Sequence, residues 1–218
     1  MQHCKRYMVE RFDIDSSGDQ LGFVDMCAIS GAPAAGKYSS SAERIAGMLG
    51  AACDPAAAAS SQDAFFAQYF LASVIRNGDA HLKNFGLLYG DGRLAAIAPV
   101  YDMLSMAVYA PKRNDGDAAD GMALTLNGTR RWPSPAMLDG LASRCGVSRD
   151  RQIWWQERLQ SALAQAGLCA VKAAGQNDIG RASRAVIERM LELWSIGIRP
   201  YSRQGAKDLE EMARGMRA

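Results

Sequence analysis

The stretch Asn77-Gly78-Asp79-Ala80-His81-Leu82-Lys83-Asn84, followed by Pro99-Val100-Tyr101-Asp102, decides how this chain folds and which chemistry it can own. It sets an Asp and an Asn five residues apart, and a second Asp eighteen residues after the Asn. Phosphoryl transfer at a kinase-type loop needs such a set. One carboxylate orients the attacking hydroxyl and accepts its proton. An amide and a second carboxylate hold the magnesium ions that neutralise the ATP phosphates. The spacing alone is common, and its weight comes from the flanks.

Before the loop, Gln62 to Arg76 carries Phe65, Phe66, Tyr69, Phe70, Ser73 and Val74 at helical spacing, which predicts a buried helix delivering the chain into the loop. After it, Phe85 to Tyr89 and Arg93 to Ala98 flank Gly90-Asp91-Gly92, a hairpin signal. A short hairpin would bring Asp102 back to the cleft that holds Asp79 and Asn84. The bland alternative is that Asp79 caps a turn and Asn84 starts a strand. His81 or Lys83 could place a cation or a donor near the transferring phosphoryl, and the sequence does not choose between them. His81 could equally hydrogen-bond loop carbonyls. It is a poor metal ligand, since His3 is the only other histidine.

Working outward, the 218 residues fit one large domain or two small ones, and 49% hydrophobic residues can bury a core. A net charge of +2 with no Lys/Arg run gives no reason to expect direct nucleic-acid binding. Five cysteines, spread singly, make neither a disulfide framework nor a zinc site. No secretory signal or membrane-length apolar run is seen, so a cytoplasmic protein is expected. Residues 6–12 read as a short strand, Gly22 to Ser30 as a helix, and Ala42 to Leu49 as a short helix. The Ala-rich stretch 51–61 reads as a linker, Lys112 to Gly121 as a mobile surface loop, and Met122 to Leu126 as a short strand. Three helices, about 134–145, 149–166 and 178–197, finish the expected architecture.

Gly31-Ala32-Pro33-Ala34-Ala35-Gly36-Lys37-Tyr38 matches a phosphate loop up to its last position. There a Ser or Thr hydroxyl is needed for magnesium, and Tyr38 sets its hydroxyl several ångströms too far out, so a Gly/Ala-rich loop is the better reading. No G-x-S-x-G elbow supports a hydrolase triad. The tryptophans read as packing residues rather than base-stacking platforms.

Val9-Glu10-Arg11-Phe12-Asp13, the 77–85 loop and Ala98-Pro99-Val100-Tyr101-Asp102-Met103-Leu104-Ser105 together resemble the C-terminal domain of HipA-type serine/threonine kinases, the toxins of bacterial toxin–antitoxin systems. The similarity runs in order from about residue 5 to the last helix. It implies a mainly α-helical, protein-kinase-like C-terminal lobe with a short catalytic β-hairpin, using ATP and Mg2+. By that resemblance Asp79 is the catalytic base, Asn84 and Asp102 are magnesium ligands, and His81 and Lys83 approach the phosphates. Glu10 and Phe12 match the hinge that reads adenine, Asp13 sits where the ribose is held, and Tyr101 lines the nucleotide pocket.

The resemblance also implies a protein substrate, typically an aminoacyl-tRNA synthetase, and a DNA-binding antitoxin as partner. The hinge begins within ten residues of Met1, and Lys5 is the only lysine before it. The expected organisation is therefore a hinge strand and linker over 1–16 and a helical C-lobe over 17–218, with the N-terminal lobe missing and supplied, if at all, by a separate subunit. The alternatives are a non-catalytic module that binds antitoxin or substrate, and a small-molecule phosphotransferase of the aminoglycoside-kinase type, which fits the Tyr-Asp-Met-Leu-Ser block less well.

Overall fold

The protein is seen as a computed structural model, in which residues 10–90, 93–175 and 180–217 are described. The small sheet comes first. Strand β1 (Gly22–Asp25) pairs antiparallel with β2 (Gly86–Gly90), which pairs antiparallel with β3 (Arg93–Ile97) in the order β1-β2-β3. Val24 faces Leu87, and Leu87 faces Ile97. The expected hairpin is thus two strands of a three-stranded sheet. Two glycines let aromatic rings lie flat across it: a Cβ on Gly22 would sit 2.3 Å from Tyr89, and one on Gly86 would sit 2.5 Å from Phe23.

Gly22 to Ser30, expected as one helix, divides at Asp25. The strand ends there and the Asp25 carboxylate caps the short helix α1 (Met26–Ile29) by accepting from Ala28 N–H. Helix α2 (Ala42–Ala52) starts on Ser41, α4 (Pro135–Arg144) on Ser134, α5 (Arg149–Ala174) on Ser148 and α7 (Arg203–Gly215) on Ser202; each serine hydroxyl accepts a first-turn N–H. Helix α6 (Arg181–Ile198) lies between α5 and α7 in the chain and packs on both.

The central element is α3 (Pro55–Val74). Its start corrects the expected linker over 51–61. Pro55 occupies the first helical position, where its missing N–H costs nothing, and Asp54 caps Ala56 N–H. Phe65, Phe66, Tyr69, Phe70 and Val74 of α3 are all buried, with Met26, Ile45, Leu49, Phe85 and Leu191 around them. Met122 to Leu126 is no strand. Met122, Ala123, Leu124 and Leu126 are buried, yet only the bridges Ser41–Thr125 and Leu126–Thr129 form. Of the expected hinge strand, residues 6–9 lie outside the described residues, and Glu10 to Phe12 are not in a strand.

Cys27, Cys53 and Cys145 are buried free thiols and Cys169 is exposed; burial pushes the Cys145 thiol up to about 12. Among the described residues no helix is long and apolar enough to cross a membrane.

Candidate active site

The loop after α3 is built by helix termination. Ile75 N–H bonds Leu71 O, Arg76 takes φ +59°, and Asn77 N–H reaches back to Ala72 O at 2.8 Å, the Schellman pattern. Buried Asn77 accepts Asp79 N–H at 3.1 Å. A Cβ on Gly78 would lie 2.3 Å from Asp120 Oδ2, so the 120–121 segment runs directly against the loop. The His81 N–H is shared between Asp79 O at 2.8 Å and Asn84 Oδ1 at 3.0 Å. Asn84 N–H returns to His81 O across the 3-10 turn Leu82–Asn84.

The second carboxylate comes back from the sheet. Ile97 N–H bonds Ser61 Oγ, and Gln68 Nε2 donates to Ala98 O at 2.8 Å, so α3 grips the exit of β3. Asp102 then adopts φ +50°. Its Oδ2 accepts from Asn84 Nδ2 at 3.0 Å. Tyr101 donates its hydroxyl to Lys83 O at 2.7 Å, and burial pushes the ionisation of that hydroxyl up, so it stays a donor. Its ring packs 5.6 Å from Phe12 and 5.7 Å from Phe23.

His81 sits among these groups. It is 6% exposed, and Nδ1 has no hydrogen-bond partner among the described residues. Burial, then the charge of Lys37, lowers its pKa below the usual histidine range; Asp79 and Asp102 oppose them more weakly. The imidazole is therefore neutral at pH 7. Asn84 accepts the His81 N–H and donates to Asp102, and Tyr38 touches both Asp79 and His81, so these contacts link Asp79, Asn84 and Asp102 around one loop.

Tyr38, read in the sequence only as the residue that rules out a phosphate loop, reaches the site. Its hydroxyl donates to Asp79 Oδ1 at 2.6 Å, and its ring stands edge-on to His81 with 5.2 Å between centroids. Lys37 Nζ lies 4.9 Å from the Tyr38 ring centroid. Lys37 O accepts Leu82 N–H, and Tyr38 O accepts from Arg130. The apparent phosphate loop is thus a 3-10 turn, Ala34–Gly36, whose following residues dock on the 77–84 loop; the next helix begins at Ala42. No spacing rule connects position 38 to 79, since the contact spans 41 residues.

The remaining expected residues are less gathered. Lys83 is exposed, and its contact to the site is through its backbone carbonyl. Glu10 is exposed, whereas Phe12 is drawn in by Tyr101 and Phe23. The Asp13 carboxylate is occupied by Arg11 at 2.5 Å, and that bond holds its pKa below the usual carboxylate range.

No three His, Cys, Asp or Glu side chains among the described residues form a metal cage. Asp102 offers a carboxylate instead; Asn84 turns its Nδ2 to that carboxylate and its Oδ1 to the His81 N–H, so its amide oxygen would join Asp102 on a metal ion only after the amide turns over. That donor set fits Mg2+, which keeps several waters and takes one or two protein ligands plus substrate phosphates.

The profile of the HipA-like C-terminal domain family matches residues 1–174. The chain belongs to the HipA-like C-terminal domain family. A curated relative from Sinorhizobium fredii, named "Putative kinase Y4dM", is 30% identical over 130 residues, covering 59% of this HipA-like chain and 29% of that protein. A chain in the solved complex of the Shewanella oneidensis MR-1 toxin–antitoxin system HipA, HipB and its operator DNA matches with a TM-score of 0.64 and 18% identity, over 93% of this chain and 50% of that one. This HipA-like chain therefore spans half or less of the proteins it matches. The mainly α-helical lobe with its small antiparallel sheet is the fold this chain shares with part of that solved Shewanella chain.

Proposed function

We propose that this chain is the catalytic and substrate-binding lobe of a HipA-like serine/threonine protein kinase, which transfers the γ-phosphoryl of ATP to a protein hydroxyl. The contact between Asn84 and Asp102, beside a loop that presents Asp79, carries the reading. Tyr38 occupies Asp79 Oδ1. The other oxygen is left to accept the hydrogen bond of the substrate hydroxyl and, as the O–P bond forms and ADP leaves, its proton. Mg2+ held by Asn84 and Asp102 would neutralise charge on the phosphates. Neutral His81, at the base of the loop, keeps a donor near that charge without repelling a metal ion, and Lys83 supplies a flexible cation from the rim. Phe12 and Tyr101 would form the nucleotide side of the cleft, with Glu10 and Asp13 contributing hinge and ribose contacts.

Kinases position the phosphates with a glycine-rich loop and a strand lysine that belong to another lobe. We therefore assign activity to a two-lobed assembly, and a DNA-binding antitoxin of the HipB kind as the partner that restrains it. The test is ATP-dependent phosphoprotein formation by the chain fused to, or mixed with, a HipA-type N-terminal lobe. Transfer is expected from the assembly and little from the chain alone; an assembly that binds ATP and Mg2+ yet phosphorylates no protein would favour a non-catalytic binding module. In the active assembly, Tyr38→Phe should cost about tenfold or more in turnover, the worth of a charge-assisted hydrogen bond, with the KM for ATP unchanged. Wild-type turnover in that variant would remove Tyr38 from the site.

A further inference from the structure

Arg76 stands three residues before Asp79, in a conformation an arginine does not favour. Its φ of +59° falls at the position after the helix cap where glycine is the usual choice. Its side chain is nearly sealed from solvent and its whole guanidinium is used. Nε and Nη2 bond both oxygens of Asp117, at 3.0 and 2.8 Å, and Nη1 bonds Ser73 O at 2.7 Å. Trp132 covers the guanidinium, with 5.0 Å from Cζ to the ring centroid. The Arg76 carbonyl accepts from Ala107 N–H, five residues past Asp102. One residue thus ties the end of α3, the entry of the 77–84 loop and the segment after Asp102.

Asp117 belongs to the 111–119 loop, which is folded and anchored rather than loose. Arg113 N–H bonds Asp117 O, and Ala119 N–H bonds Pro111 O. Gly116 O accepts from Arg189 of α6 at 2.8 Å, and Lys112 pairs with Glu192 of α6 at 3.2 Å. Asp117 is 8% exposed and also accepts Ala118 N–H at 2.8 Å. A buried ion pair is poor at adding net stability, because desolvating two charges offsets their attraction, but it fixes geometry strictly.

We propose that the Arg76–Asp117 pair is a latch through which the 111–119 loop, seated on α6, holds the 77–84 loop in the form that presents Asp79, making Arg76 a positioning residue for transfer. The activity half of this inference rests on the kinase reading above; the conformational half does not.

Glycine at 76 accepts the backbone conformation and deletes the latch, which separates the two roles of the residue. Arg76→Gly leaves Asp117 buried without its cation, so the double variant Arg76→Gly/Asp117→Ala, with neither charge, is the decisive one; Arg76→Lys restores a charge but a single-pronged contact. Amide hydrogen exchange on the 218-residue chain should quicken about tenfold or more at Asn77, Asp79, His81, Leu82 and Asn84 in the double variant, with α5 little changed. In the two-lobed assembly its kcat should fall about tenfold or more while the KM for ATP stays within about twofold, and Arg76→Lys should lie between it and wild type. Wild-type exchange at 77–84, or wild-type kcat, in the double variant overturns the latch. A wild-type assembly with no transfer removes the kinase reading alone, and the exchange result then decides the latch.

Discussion

In a two-lobed assembly, Asp79→Ala is expected to cut phosphoryl transfer by about a thousandfold, the scale of a lost general base, while nucleotide binding stays intact. Asp102 should fail differently. Its φ of +50° means that alanine there would add backbone strain of about 1 kcal/mol to the loss of a ligand, whereas asparagine tolerates that conformation. Asp102→Asn therefore isolates the charge, and it should raise the Mg2+ concentration needed for half-maximal turnover. Single-turnover rates with ATP and Mg2+ titrations separate the two. Transfer that survives Asp79→Ala would take the base away from Asp79. An unaltered Mg2+ requirement in Asp102→Asn would take the metal away from Asp102.

The second large effect is on stability, at Gly197. A Cβ there would lie 2.0 Å from Val74 O, 2.8 Å from its carbonyl carbon and 2.9 Å from its Cα. All three atoms are backbone, on the last residue of α3, so no side chain can swing aside. Gly197→Ala should destabilise the chain by about 3 kcal/mol, or roughly 6–12 °C in Tm. Gly47 of α2 is the control: it is exposed, with nothing within 4 Å of its Cβ position. There alanine should stabilise by about 0.5–1 kcal/mol, because it favours the helix and meets nothing. Thermal or denaturant unfolding of both variants checks the pair, and equal responses would mean that α6 does not pack so closely on α3.

The elements legible in the sequence were those whose signals are local. The apolar periodicity of α3 from Gln62, and the turn residues between β2 and β3, needed no knowledge of tertiary partners. Met122 to Leu126 misled because burial on every side looks like a central strand, although only single bridges hold it. Helix α7 escaped because it is largely polar; its readable signals are the cap Ser202 and the apolar spacing Ala206, Leu209, Ala213. In the site, Asp79, Asn84 and Asp102 were readable as a spaced set. Tyr38, Arg76 and Asp117 were not, since their contacts span 41 residues and a left-handed arginine leaves no mark in composition.

The four tryptophans divide into two environments. Trp154 and Trp155 meet edge to face at 4.6 Å between centroids on α5, beneath the Arg151 guanidinium. Trp132 lies over Arg76, and Trp194 donates its indole N–H to Ser105 Oγ, three residues beyond Asp102, at 2.7 Å. Two of the four tryptophans are therefore tied to the ground around the 77–84 loop, and the other two sit together on α5. A disturbance of the loop can be read as an optical signal without any label.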